Sequence, residues 1–386
     1  MQNPICKPGG KPVQLTDGNR TGYNLWVNLK KEFGQGDSMY TLKDVAARAG
    51  VSPTIVSYVL NNSNYVSAEK RAAVLKAVKE LNYHINCNAR GLRKKKTSNI
   101  AVITFDERSE LYSEIVYYLE QLAYREGFFI SVSSINTVEK ANSYLTTLMS
   151  QKYDGIIMLS NPFNPQQIRQ LLDGNLPIVL LELEHAKQDP MISILKPNTY
   201  ESVRTVMRRF IAESGHSRIG YITFGNPTAT GEEGPYGQGL RVKAYLDSMA
   251  DAGLEIPYAW ILQPSSQDTF PYFAEEISEI VQQYTATPAQ QRPTAFFTSI
   301  DSIGAMLVTQ LCQNGIDVPG DVEVFGFGGS HSSEICCPPL STIHLDCKDT
   351  AQRLMEMFLQ RYRGEDAVLV ETELTIKYRG STQFPR

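Results

Sequence analysis

Apolar positions divide this chain into two regimes. Up to Tyr83 they fall at helical spacing on three short segments: VAARA before Gly50, IVSYVL after Ser52-Pro53, and a third stretch carrying Ala73, Val74, Ala77, Val78 and Leu81. From Asn99 onward, short apolar runs alternate with amphipathic stretches. IAVITF, FISV, DGIIMLS and PIVLLEL read as strands, with helices over about 109–126 and 140–150. After Asn198 the rhythm restarts: a helix over about 200–213, the strand RIGYITF, a helix over 241–252, the strand TAFFTS, a helix over 301–313 and the strand VEVFGF. Continuous apolar strands alternating with helices predict parallel sheets covered on both faces. Two such runs, of about 100 and 140 residues, predict an α/β body of two lobes. Ligands of such sheets bind beyond the carboxyl ends of the strands, here in the cleft between lobes.

The turn chemistry of the first segment is specific. Thr41 caps the first helix with Asp44 three residues on, and Gly50 ends it by accepting a positive φ. Ser52 caps the second helix and Pro53 takes its first position; Ser67 caps the third, with Glu69 in its first turn. A helix, a glycine turn and a second helix form a helix-turn-helix, whose second helix lays its first residues against base edges in the major groove. Those residues are Pro53, Thr54 and Ile55, then Ser57 and Tyr58 one turn on. Thr54, Ser57 and Tyr58 can hydrogen-bond; Pro53 and Ile55 offer apolar contact to thymine methyls, although Ile55 reads equally well as core, and Val56 and Val59 read as core. A fourth short helix is expected over about 86–94, followed by the linker KKKTSN. Within it Leu92 sits among Arg90, Arg93 and Lys94, an arrangement suited to a minor-groove wedge, with packing on a neighbouring domain as the alternative. Thr41, Ser52, Asn61 and Asn86 complete the candidate DNA-contacting set.

Charge supports this division. Residues 39–98 carry eleven Lys and Arg against three acids, a net of +8, in a chain whose total is −4, so the remainder is −12. A basic module on an acidic body implies that the module alone meets a polyanion. With 386 residues, 42% hydrophobic and 20% charged, the chain reads as a soluble protein of two or three domains. No apolar run approaches a membrane span and MQNPICKPGGKPVQLTDGN lacks the apolar core of a signal peptide, so a cytoplasmic location without membrane contact is expected. Residues 1–38 are polar, rich in Gly, Pro, Asn and Lys, and read as a disordered extension. Gly36-Asp37 is encodable by a purine-rich ribosome-binding stretch, which makes Met39 the expected native start.

Catalytic and metal chemistry find little support. Six cysteines are too sparse for a disulfide scaffold, and no CxxC pair with a matching histidine suggests a zinc site, so no metal or cofactor is expected. Cys336-Cys337 reads better as two small apolar residues before Pro338-Pro339 than as a redox pair. In GFGGSHSSE the nucleophile-elbow pattern G-x-S-x-G is broken because Ser332 takes its last position. No P-loop is present, and GPYGQG is not a complete GxGxxG. An enzyme is therefore not expected. A solute-binding protein of transport type is the other rival, but it needs an export signal and no basic module.

The stretch TLKDVAARAGVSPTIVSYVLNN, then VSAEKRAAVLKAVKELNY and N-x-x-A-R-G-L, resembles the lactose/galactose repressor family of bacterial transcription regulators. The resemblance covers about residues 40–380 and includes ESGHSRIGYI, RVKAY, TSID, GIDVPGDVEVFGF and PPLSTI. It implies a helix-turn-helix domain over 39–85, a hinge helix and linker over 86–98, and a periplasmic-binding-protein-like, two-lobed effector-binding and dimerisation domain over 99–386. Lobe 1 is expected at about 99–196 and 344–370, lobe 2 at about 197–343 and 371–386. It further implies a homodimer on a pseudo-palindromic operator in double-stranded DNA, with paired hinge helices opening the minor groove. Leu92 falls on the family's wedge leucine and Ala89 on the alanine one turn earlier; Pro53 and Thr54 fall on positions that vary with operator sequence. Tyr58 replaces a usual arginine and cannot make that side chain's bidentate guanine contact.

The resemblance also implies a small effector, often a sugar, in the cleft. Glu182, at the end of PIVLLEL, falls on an acidic contact, Arg241 on the cleft arginine and Asp301 on the aspartate after TAFFTS, where N-capping is an equal alternative. Asn198 matches the crossover asparagine, where a structural role outweighs a ligand one. Two departures weaken the case for a free sugar. Ile300 stands where an asparagine often precedes Asp301, and the family's G-[FY]-D-D is Gly326-Phe327-Gly328-Gly329. A less polar effector, one stacking on Phe105 or Phe273, or no effector at all, stay open.

Overall fold

The computed structural model describes residues 40–61, 64–83, 97–150, 153–183, 191–223, 239–256, 261–262 and 273–384. The extension 1–38 and the candidates Asn86, Ala89, Arg90 and Leu92 lie outside these residues. The chain divides into two compact units, Met1–Arg90 and Gly91–Arg386.

In the first unit, three helices, α1 (Leu42–Ala49), α2 (Pro53–Asn61) and α3 (Ala68–Glu80), close on one small core. Thr41 and Asp44 form a reciprocal capping box, and Gly50 ends α1 at φ 64°, donating its N–H back to Ala46 and Ala47. Pro53 opens α2 as predicted. Ser67 occupies the N-cap position of α3, but its hydroxyl makes no capping bond; its carbonyl alone accepts, from Arg71 N–H at 3.0 Å. Val45, Ala46, Val56, Val59, Val74 and Ala77 are buried and define the core. Arg48 and Glu80, 2.7 Å apart, tie α1 to α3 at the rim.

The second unit holds two six-stranded sheets. The first contains β1 (Asn99–Thr104), β2 (Phe129–Ser134), β3 (Gly155–Met158), β4 (Ile178–Leu181), β5 (Ser193–Pro197) and β11 (Leu369–Thr372), all parallel, in the order β11-β5-β4-β3-β1-β2. The second contains β6 (Ile219–Ile222), β7 (Ile261–Leu262), β8 (Ala295–Thr298), β9 (Glu323–Gly328), β10 (Ser341–His344) and β12 (Thr375–Lys377), in the order β12-β10-β9-β8-β6-β7, with β12 antiparallel to β10. Helices α4 (Glu110–Arg125), α5 (Val138–Ser150), α6 (Pro165–Asp173) and α12 (Cys347–Tyr362) cover the first sheet. Helices α7 (Thr199–Arg208), α8 (Gly239–Asp251), α9 (Ala274–Ala286) and α10 (Asp301–Gln313) cover the second. The short helix α11 (His331–Ile335) follows β9.

Both sheets are doubly wound. The strand order reverses between β1 and β3 in one and between β6 and β8 in the other, and such reversals leave a crevice at the carboxyl ends. The helix predicted over 200–213 ends in a π turn, Arg209–Glu213. That wider turn lets Phe210 bury against Phe325 and Phe384 while the Arg209 guanidinium lies 4.5 Å from the Tyr378 ring.

Candidate functional sites

In the first unit the start of α2 is the exposed edge. Ser52, Pro53 and Thr54 are exposed, whereas Ile55, Ser57 and Tyr58 are half-buried. Ile55 packs against the core, so its side chain serves the fold first, and Val56 and Val59 are buried as expected. The Thr41 hydroxyl donates to the Asp44 carboxylate at 2.7 Å, which fixes it as part of the cap.

In the second unit the effector candidates lie at strand ends, with two corrections. Phe105 follows β1 and is half-buried; Glu182 follows β4, is buried, and donates its N–H to the Leu195 carbonyl at 2.8 Å. Arg241 is the third residue of α8, is 7% exposed, donates from Nη1 to the Ser299 carbonyl, and places its guanidinium 4.5 Å from the Phe327 ring. Phe273 is not available for stacking. It precedes α9 at φ 41° and its ring is buried in the core with Ile277, Ile280 and Phe296. Asn198 is a staple: its Oδ1 accepts from the Ser202 hydroxyl at 3.0 Å and from Leu374 N–H at 2.8 Å, joining two of the chain's passages between sheets.

Asp301 is neither an N-cap nor an exposed ligand group. Ile300 holds the cap position, and Asp301 is 1% exposed in the first turn of α10. Its Oδ1 accepts from the Thr342 hydroxyl at 2.6 Å, and its Oδ2 accepts from Ser330 N–H at 2.7 Å and the Ser330 hydroxyl at 3.2 Å. Burial pushes this carboxyl up to about 6, against the pull of those hydrogen bonds. Because the folded value is raised, the protonated form favours folding. That contribution is full below the unfolded value near 3.8 and is lost as pH rises through about 6. Relative to the parent, Asp301→Asn should therefore flatten the part of the urea-midpoint profile between pH 4 and 7 that this residue supplies, on the order of 3 kcal/mol. Superimposable profiles would contradict the assignment.

The glycines that replace the family's acidic pair have a steric reason. Gly328 and Gly329 adopt φ 127° and 76°. A Cβ on Gly329 would lie 1.9 Å from His344 Nδ1, whereas one on Gly328 would make only ordinary contact, 3.4 Å from Asp301 Oδ2, and is excluded by the backbone angle. Restoring the acid by Gly328→Asp should lower stability by about 1–3 kcal/mol from backbone strain alone, with repulsion from Asp301 added, and confer no sugar binding. An unchanged urea midpoint would contradict this. Beyond the glycines, Ser332 N–H donates to Glu110 Oε2 at 3.2 Å, and the Ser330 and Ser332 hydroxyls are 3.0 Å apart. Sequence reasoning missed this interlobe bond, together with Phe327 and Ser299; only Ser299 carried a local signal, as the residue ending TAFFTS.

The approach to β1 is also fixed. The Asp154 carboxylate accepts from the N–H groups of Thr97 and Ser98, each at 2.8 Å, so the segment expected to follow the hinge enters the body at a defined point.

An exposed recognition-helix edge in one unit, and two doubly wound sheets whose carboxyl-end loops meet in the other, define a DNA-binding regulator with an appended ligand-binding body. Comparison with known proteins agrees. Residues 41–86 match the description "Bacterial regulatory proteins, lacI family", and residues 209–382 match "Periplasmic binding protein-like domain". The HTH-type transcriptional repressor PurR of Proteus mirabilis is 29% identical over 89% of this chain and 97% of its own length. Among solved structures, the lac repressor dimer bound to operator and the anti-inducer ONPF matches 89% of this chain and 99% of its own, at 23% identity and TM-score 0.69. The regulator CelR in complex with cellobiose covers the same shares at 23% identity and TM-score 0.60. The chain carries a LacI-family helix-turn-helix domain and a periplasmic-binding-protein-like domain.

Proposed function

We propose that this protein is a cytoplasmic homodimeric repressor that reads a pseudo-palindromic operator and is switched by a small molecule in the interlobe cleft. The exposed start of α2 on a small, independently cored basic unit carries the reading. Pro53 and Thr54 face the bases, Ser57 and Tyr58 extend the contact, and Thr41, Ser52 and Asn61 border it. Asn86, Ala89, Arg90 and Leu92 are assigned to the hinge by the family resemblance alone. With Tyr58 in place of an arginine, the half-site differs from one that places guanine against that position. Exposed apolar side chains gather on α4, β2 and α5 of the first lobe, with Tyr124 74% and Phe129 68% exposed, and these suit the dimer contact. No catalytic role is assigned.

Effector binding acts by favouring one cleft closure over another, and so biases the hinge between DNA-competent and DNA-incompetent states. The loss of acceptors at Ile300, Gly328 and Gly329 disfavours a free sugar. The test is a panel of sugars and planar metabolites, scored first by thermal shift and then by operator affinity. A compound that stabilises the protein and changes operator affinity supports the reading. Compounds that bind and leave operator affinity unmoved, in every case, would defeat it.

A further inference from the structure

The carboxyl end of the second sheet contains a buried hydroxyl without a partner. Ser299 is 0% exposed, and its Oγ makes no hydrogen bond among the described residues. Its backbone is fully engaged: the N–H donates to the Ile222 carbonyl at 2.9 Å, and the carbonyl accepts from Arg241 Nη1. A buried hydroxyl left unpaired is destabilising, so it needs an explanation.

Strand alternation fixes which way it faces. Along β8, Ala295 and Phe297 join the core on the α8 side, and Phe296 joins the core on the α10 side. Thr298 faces α10, since a Cβ on Gly304 would meet its Oγ1 at 2.7 Å. Ser299 therefore turns to the α8 side, one residue beyond the strand, beside the β6–β8 reversal. That is the side from which Arg241 reaches in over Phe327.

The chemistry of this wall is one-sided. Arg241 supplies donors only, and a serine hydroxyl can donate. Both oxygens of Asp301 are already engaged, and Gly328-Gly329 adds no carboxylate. A sugar hydroxyl both donates and accepts, whereas a wall that offers the Arg241 donors and no free carboxylate pairs best with a ligand group that only accepts. We propose that the Ser299 hydroxyl is a specificity-determining ligand contact, donating to a carboxylate or ring-carbonyl oxygen of the small molecule held against Arg241. This rests on the cleft reading above.

The test uses the full-length protein with five probes: pyruvate and 2-oxoglutarate for carboxylates, uracil and hypoxanthine for ring carbonyls, and cellobiose for hydroxyls alone. At least one of the first four should bind the parent. Ser299→Ala should weaken that probe about tenfold, the worth of one hydrogen bond. Without ligand, Ser299→Ala should melt at the parent's temperature or higher, because an unpaired hydroxyl has been removed; a purely structural serine would instead lower it. Which pair of probes responds separates carboxylate from carbonyl. Binding by cellobiose only, binding by none, a lower ligand-free melting temperature, or unchanged affinity in Ser299→Ala each overturns the assignment. Arg241→Ala separates the two levels: if it loses the probe while Ser299→Ala retains it, the cleft stands and the Ser299 role falls. If both variants retain the probe, the cleft reading falls too.

Discussion

Replacing Arg241 with alanine is expected to remove the effector response while operator affinity without effector stays within several-fold of the parent. The guanidinium is nearly buried, spans from α8 to the ends of β8 and β9, and is braced by the Ser299 carbonyl and the Phe327 face. A ligand acceptor placed against it gains a charge-assisted hydrogen bond, worth about 1.5–3 kcal/mol, and alanine forfeits that bond, or roughly 10- to 100-fold in affinity. Arg241→Lys should be intermediate, since an ammonium keeps the charge but loses the planar stacking and fork geometry. Fluorescence anisotropy of a labelled operator, titrated with effector, reads both quantities. A preserved effector midpoint in Arg241→Ala would place the ligand elsewhere.

The second large effect is expected at Val56. This side chain is fully buried with Val45, Ala46, Val59, Val74 and Ala77, the buried core among the described residues of the first unit. Val56→Asp puts a carboxylate there with no cation to pair it, at a cost of several kcal/mol. Small domains have little stability in reserve, so the unit should unfold and specific operator binding should fall by about 1,000-fold or more. The body has separate cores and should keep its melting transition and its ligand affinity. Differential scanning calorimetry with an operator titration checks both halves. Operator binding within tenfold of the parent would show that the unit tolerates the charge, and loss of the body's transition would show that the units are not independent.

Much of this was legible in local signals. The Thr41-Asp44 cap, the Gly50 turn and the Val74/Ala77 face are determined within a few residues and formed as read. Ser67 shows the limit of such reading, since it has the cap position without the cap bond. The strands IAVITF, DGIIMLS, PIVLLEL, RIGYITF, TAFFTS and VEVFGF announced themselves because burial on both faces requires unbroken apolar runs, whereas β5 and the two-residue β7 were not read as strands. Nor did β11 and β12 announce themselves: their residues are half-exposed at the sheet edges, so they carry no such run. Helix α6 was missed although Asn164, Pro165 and Gln167 spell its start, with Asn164 and Gln167 forming a capping box.

Site residues were less legible because their roles depend on distant neighbours. Phe273 looked like a stacking ring, and only its place against α9 and α10 shows it to be core. Asp301 was read as a cleft contact or an N-cap, but its carboxylate is held by Ser330 and Thr342, 29 and 41 residues away. The Glu110–Ser332 bond joins residues 222 apart, which no local pattern can announce.

The exposed start of α2 is expected to read a specific duplex. Selection of bound DNA from a random duplex library, at one fixed physiological salt concentration, tests it most directly. Enrichment of a site with two inverted half-sites around a deformable centre, bound far more tightly than bulk duplex, is expected. Binding that is equal for all sequences and weakens only with added salt, both with and without the effector panel, would contradict it.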